Sequence, residues 1–208
     1  GSLTALTRLT LNANKLVGAV PASFANLVNL ATGQTDIGFN GLYTSDSGLA
    51  AFLTAKDPDW TDTQTIAPTN MAATSIDGAG ILVSWLPIAY KANTGGYKVN
   101  ISQTQGGPYT FVSQTTDKWA TSLTVTGLTP GVTYYFVVQT HTDAHVANTN
   151  AIDSDNSAEA SATAWTQVNI QVTGTVTLDS APLANVVMSG LPGNPLTNAS
   201  GVYDVTVP

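Results

Sequence analysis

The chain has no cysteine, a single arginine and very little charge of either sign. Without cysteine, disulfide frameworks, thiolate metal sites and thiol catalysis are all excluded. That absence does not place the chain in the cytoplasm, because sandwiches of about 100 residues hold together by burial alone. Charged residues make up 9% of the 208, against roughly 25% in ordinary domains. Twelve Asp and one Glu oppose five Lys and Arg8, for a net charge of −7. No basic stripe is available to neutralise phosphates, so nucleic acid and anionic membranes are poor partners. No apolar run approaches the about 18 residues of a spanning helix and no basic-then-apolar leader opens the chain, so membrane insertion is not expected. Gly1-Ser2-Leu3 falls within a repeat phrase, so the chain reads as an excerpt of a longer protein, with Gly1-Ser2 also fitting a cloning scar.

What is abundant is apolar side chains, 43% of the chain, together with Thr, Ser, Asn and Gly. That combination supports real cores under a surface solvated by hydroxyls and amides. Leu6, Leu9, Leu11, Asn14, Leu16, Gly18, Val20, Pro21, Phe24, Leu27 and Leu30 spell L-x-x-L-x-L-x-x-N-x-L-x-G-x-V-P-x-x-F-x-x-L-x-x-L. A second copy follows: Asn40 and Leu42 answer Asn14 and Leu16, Ile37 answers Leu11, and Thr32 and Thr35 stand where leucines are expected. Asp46 or Ser47 can then cap a short helix with a Leu49, Phe52, Leu53 stripe, stopped by Asp57-Pro58. The phrase resembles a leucine-rich repeat of the kind with an Ile/Val-Pro step after its glycine. The resemblance implies a solenoid with leucines inward and Asn14 bonding backbone groups at the turn. The degraded second copy implies the end of an array over residues 1–66; two repeats are too few to stand alone, so the segment either leans on the next module, with Trp60 packing at that junction, or has lost earlier repeats. A partner-binding concave face and a plain terminal cap both remain open readings, since the strand carries Thr and Asn without an aromatic or charge cluster.

From Ala67-Pro68-Thr69 onward, Ile81, Val83 and Trp85 alternate, then Tyr97, Val99 and Ile101, then Leu123 and Val125, then Tyr134, Phe136 and Val138. Period two over four segments, with turns at Gly95-Gly96, Gly106-Gly107-Pro108 and Thr129-Pro130-Gly131, predicts an antiparallel sandwich. Gly127-Leu128-Thr129-Pro130-Gly131-Val132-Thr133-Tyr134 resembles the L-x-P-G-x-x-Y loop of the fibronectin type III domain, over residues 67–166. The resemblance implies structural roles for Leu128, Pro130 and Tyr134, and for Trp85 as the buried tryptophan of the second strand. His141, Asp143 and His145 offer metal-ligand chemistry, but on an extended strand the two imidazoles stand about 13 Å apart, and a polar loop tip is the alternative. Asp153-Ser154-Asp155-Asn156 with Glu159 lacks the central glycine of a calcium loop. No metal and no cofactor is expected. Trp119, Trp165, Tyr90 and Tyr109 offer either a sugar platform or edge-of-core packing, with Trp119 and Trp165 the candidate contacts.

Residues 167–208 carry Gly174-Thr175-Val176, Ala181-Pro182-Leu183-Ala184-Asn185-Val186 and Thr197-Asn198-Ala199-Ser200-Gly201-Val202-Tyr203. They resemble the opening half of a carboxypeptidase-regulatory-like, or transthyretin-like, domain, with Tyr203 structural. The expected architecture is mainly β: a leucine-rich-repeat solenoid cap with a short helix, a fibronectin type III sandwich, and a partial Ig-like or transthyretin-like sandwich with an open C-terminal edge. No G-x-S-x-G elbow, phosphate-cradling loop or H-E-x-x-H occurs, so no catalysis is expected. The three resemblances together imply a structural or adhesive segment of a bacterial-type extracellular surface protein, touching other protein chains or surface polysaccharide. A filament subunit assembled by β-strand addition through the open edge and an accessory region of a secreted polysaccharide-degrading enzyme are the alternatives.

Overall fold

The two asparagine-centred phrases wind into two stacked coils. In the computed structural model, which describes residues 3–165 and 170–207, Leu9–Thr10 (β1) runs parallel to Thr35–Asp36 (β3) and Val17–Ala19 (β2) parallel to Gly41–Tyr43 (β4). Each coil turns a corner on a left-handed residue at the same place in its phrase, Ala13 at φ 57° and Phe39 at φ 52°, a conformation that residues with a Cβ rarely adopt. Asn40 holds the second corner. Its Nδ2 donates to the carbonyls of Leu11, Ile37 and Gly38 at 2.9, 3.0 and 3.1 Å, and its Oδ1 accepts from the Leu16 N–H at 3.2 Å. Thr32, where the phrase expects leucine, donates to the Ala55 carbonyl at 2.8 Å, because helix α1 (Ser47–Lys56) closes that side. Asp46 Oδ1 caps the helix by accepting from the N–H groups of Gly48 and Leu49 at 2.8 and 3.0 Å. Trp60 is buried in this same core with Val20, Ile37, Leu49 and Leu53, and its Nε1 donates to Thr54 Oγ1 at 3.2 Å. The expected role of Trp60 at the junction with the next module is therefore corrected. A buried indole needs an acceptor, and α1 supplies one inside the coil.

The alternating segments form the two sheets the sequence predicts. Thr69–Ile76 (β5), Gly80–Leu86 (β6) and Ser122–Val125 (β9) make one, in the order β5-β6-β9. Gly95–Ser102 (β7), Thr110–Gln114 (β8), Thr133–Thr142 (β10) and Ile152–Asp153 (β11) make the other, in the order β11-β10-β7-β8, with Ala160–Thr163 (β12) also on β10. Ile81, Val83, Trp85, Tyr97, Val99, Val125, Tyr134, Phe136 and Val138 fill the space between them. Between β11 and β12 the chain leaves the ladder, and two hydroxyls take its place: Ser157 Oγ accepts from the Val138 N–H and Ser154 Oγ from the Thr140 N–H, both at 2.9 Å. The Val138 and Thr140 donors thus keep partners across that break. Further along, the inward face of β10 changes from Phe136 and Val138 to buried Thr140 and Thr142, so the sandwich interior becomes polar at one end.

Two compact units result, Gly1–Ala164 and Trp165–Pro208. Coils and sandwich share the first while keeping separate apolar cores. The expected boundary between residues 166 and 167 lies outside the described residues. In the second unit Ile170–Thr175 (β13) pairs antiparallel with Val202–Val207 (β16), and Thr177–Leu178 (β14) with Ala181–Pro182 (β15) through a turn with Asp179 and Ser180 at positive φ. Among its described residues only Thr197 and Gly201 are buried, and Ile170, Leu178, Leu183, Val187 and Leu196 are exposed. The expected third apolar interior is thus missing from these residues. The two strand pairs alone do not enclose a volume, and burial needs a second layer.

Candidate functional site

Within the first unit, the loop from β10 to β11 carries the contact between sandwich and coils. Asn148 is 2% exposed. Its Nδ2 donates to the carbonyls of Phe39 at 2.9 Å and Asn14 at 3.1 Å, while its Oδ1 accepts from the backbone N–H and side-chain amide of Asn150 at 2.9 and 3.1 Å. Asn150 Nδ2 in turn donates to the Ala13 carbonyl at 3.3 Å. The two asparagines therefore read the left-handed corners of successive coils, where the backbone offers carbonyls without ladder partners. Phe39, whose backbone makes the second corner, sets its ring 6.2 Å from Tyr90 and 5.5 Å from His145. A polar core with an aromatic flank ties the two halves together.

Beside it runs a buried polar path. The Thr65 N–H donates to the Asn40 carbonyl at 2.6 Å, the hydroxyls of Thr65 and Thr142 share a hydrogen bond of 2.8 Å, and Lys118 Nζ donates to Thr142 Oγ1 at 3.1 Å. The ammonium also lies 4.1 Å from the centre of the Tyr90 ring, and Lys118 is 2% exposed. Burial pushes this ammonium down from the ordinary 10.5 to about 8, with Asp143 acting in the opposite sense. Between those two values the unfolded chain binds the proton and the folded chain does not, so stability rises with pH. The thermal midpoint is expected to climb between pH 8 and about 9.5, before tyrosines titrate near 10. Lys118→Met should flatten that climb and raise the midpoint at pH 7, because it removes a buried charge at similar volume. An unaltered slope in the variant would exclude Lys118 as its source.

Two aromatic anchors hold the sandwich itself. Trp85 Nε1 donates to the Ala120 carbonyl at 2.9 Å and the ring lies 5.1 Å from that of Tyr97. The Tyr134 hydroxyl accepts from the Thr129 N–H at 3.1 Å, folding the Thr129-Pro130-Gly131 turn back on the strand, and that bond lowers the phenol pKa below its usual value. Residues 66–153 match the model of the fibronectin type III domain. They form a fibronectin type III domain. Its edge strand β12 lies beyond the matched span. Among solved structures, an Fn3-like protein from Clostridium thermocellum is 28% identical with a TM-score of 0.38, over 47% of this chain and 90% of that one. A β-1,2-glucanase from Parabacteroides distasonis is 21% identical with a TM-score of 0.39, over 50% of this chain and 13% of the glucanase. No curated protein matches the chain.

The residues singled out from sequence fall in different places around this domain. Asn14 donates to the carbonyls of Leu11 and Asn12 at 2.8 and 3.0 Å. Leu128 is half-buried against the fibronectin core and Pro130 is exposed. Tyr203, in the second unit, lies across Gly174, where a Cβ would meet its hydroxyl at 2.5 Å, so only glycine admits the ring there. Trp119 is 69% exposed and Trp165 50%, while Tyr90 is buried, which breaks up the four-aromatic platform and corrects the edge-of-core alternative for these two tryptophans. His141 sits between Asp153 Oδ1 at 2.6 Å and Asp143 Oδ1 at 3.1 Å. His145 meets the Asp143 carbonyl at 3.0 Å and the Tyr90 hydroxyl at 3.3 Å. The chain turns after Thr142, so the extended-strand spacing does not apply beyond it. Glu159 accepts from the Gly106 N–H at 2.8 Å and from the Tyr109 hydroxyl; burial and this carboxylate push the phenol up to about 12. Sequence reasoning missed Asn148, Asn150 and Lys118, because nothing in a polar loop tells which other segment it will face.

Proposed function

We propose that this chain is a non-catalytic structural or adhesive segment of an extracellular multi-domain surface protein, in which coils and fibronectin domain act as one rigid piece. The observation that carries this reading is the Asn148 and Asn150 latch on the coil corners, backed by the Lys118, Thr142 and Thr65 path. A loop that would otherwise be free is committed to an internal contact, so position and load pass across the junction instead of being absorbed by a flexible linker. The weakly charged composition, rich in hydroxyls and amides, and the likeness of residues 1–66 to a leucine-rich repeat end support the placement outside the cell. His141 and Glu159 are engaged by structural partners, which supports a scaffold reading over a catalytic one. Backbone relaxation measured by NMR should yield one rotational correlation time for coils and sandwich, and an antibody to the chain should label intact, unpermeabilised cells of the source. Two distinct correlation times would reject the rigid piece; labelling seen only after lysis would reject the location.

A further inference from the structure

Two loops of the fibronectin domain, one from β6 to β7 and one from β8 to β9, enclose a hollow of about 210 Å³ lined by Lys91, Asn93, Thr94, Thr116, Asp117 and Trp119 among others. Trp119 stands at its edge with 69% of its surface in water, although tryptophan usually removes about 150–250 Å² on burial. The exposure does not come from a loose loop. Asp117 Oδ1 accepts from the N–H groups of Trp119 and Ala120 at 2.8 and 3.1 Å, and Thr115 Oγ1 donates to the Asp117 carbonyl at 2.8 Å while accepting from the Tyr97 N–H at 2.9 Å. The Lys118 and Ala120 carbonyls accept from the Tyr97 hydroxyl at 3.3 Å and from Trp85 Nε1 at 2.9 Å. The indole is thus presented by a loop pinned on both sides to buried aromatics, the preorganisation that lowers the cost of binding.

We propose that this hollow binds a single pyranose ring of a polysaccharide, stacked on the Trp119 indole. The lining selects that chemistry. A sugar ring offers one apolar C–H face and a rim of hydroxyls; the hollow offers one aromatic face and a rim of polar groups. The Tyr90 hydroxyl donates to Asn93 Oδ1, which orients the amide and leaves its NH₂ as the donor for a ligand oxygen. Thr94 and Thr116 add hydroxyls, and Asp117 keeps its second carboxylate oxygen as an acceptor. An apolar peptide side chain would find only Trp119 and Ala92 to pack on. Lys91 Nζ lies 4.3 Å from the indole centre, where it covers one face by cation–π attraction and stands ready to pair with a ring carboxylate. The ring is therefore neutral or a uronate, and Lys91 distinguishes the two.

The test is affinity electrophoresis of the full chain in gels containing a soluble neutral β-glucan or polygalacturonate. Retardation is expected in at least one gel, with Trp119→Ala weakening it at least tenfold while the thermal midpoint stays unchanged, as befits an exposed side chain. Lys91→Ala weakening retardation in polygalacturonate assigns a uronate; retardation in the glucan that survives Lys91→Ala assigns a neutral ring. Unretarded migration in both gels, or retardation that persists in Trp119→Ala, overturns the proposal and leaves the rigid-segment reading untouched, since that rests on Asn148 and Asn150 in the loop from β10 to β11.

Discussion

Trp85→Ala should lower the unfolding free energy of the fibronectin domain by about 3–5 kcal/mol. Trp85 is buried in contact distance of Tyr97, and truncation empties the centre of the sandwich between β6 and β7. The loss has a second part. The Ala120 carbonyl, which accepts from Trp85 Nε1 at 2.9 Å, is left without that donor at the root of the loop carrying Trp119. Trp85→Phe separates the two parts: it retains an aromatic ring but not the N–H, and should cost about 1–3 kcal/mol for the unpaired carbonyl and the smaller volume. Urea unfolding of the full chain followed by far-ultraviolet circular dichroism reads both. A midpoint for Trp85→Ala equal to that of the parent would contradict the burial on which the domain is built.

The second large effect is expected at Asn148. Replacement by alanine removes the donor shared by the Phe39 and Asn14 carbonyls and the acceptor that holds Asn150. Each buried group so orphaned costs about 1–3 kcal/mol, and about 2–4 kcal/mol is expected in sum because water reaches part of the loop. The consequence is more specific than lower stability. Coils and sandwich have separate apolar cores, so the parent should melt them in one calorimetric transition that splits once the latch is gone, with the coils melting first. Asn148→Asp should be worse than alanine above pH 5, since it places a carboxylate against two carbonyl oxygens, and should recover in part as the acid is protonated. One unsplit transition in Asn148→Ala would mean that the Thr65, Thr142 and Lys118 path alone couples the halves.

Much of this was legible in the residue order, and the reason is periodicity. Alternation at Ile81, Val83 and Trp85 and at Tyr134, Phe136 and Val138 maps directly onto which side of a strand is buried. Asn40 and its recurrence after Asn14 likewise mark a corner, because an asparagine amide can satisfy several backbone groups where the ladder stops. The helix from Ser47 to Lys56 was bounded by its own cap and by Asp57-Pro58. Trp60 shows where this logic stops. Its size marked it as a packing residue, but the neighbour that claimed it lay six positions back on α1.

The candidate sites were less legible for a related reason. Asn148, Asn150 and Lys118 lie in segments with no period, and a polar loop residue acquires its role only from whatever the fold sets opposite it. Trp119 illustrates the same point: composition supplied an indole, whereas its exposure follows from Asp117, Tyr97 and Trp85 holding the loop from beneath. The order of amino acids by itself determined the strands, the corners, the helix and the fibronectin pattern, all set by local spacing of apolar and turn residues. The tertiary structure alone decided that the coils and the sandwich are latched through asparagines to corner carbonyls and that Lys118 is buried against Thr142 and Tyr90, because such contacts join segments far apart in the chain, more than 100 positions in the case of the latch, and no local pattern encodes such a pairing.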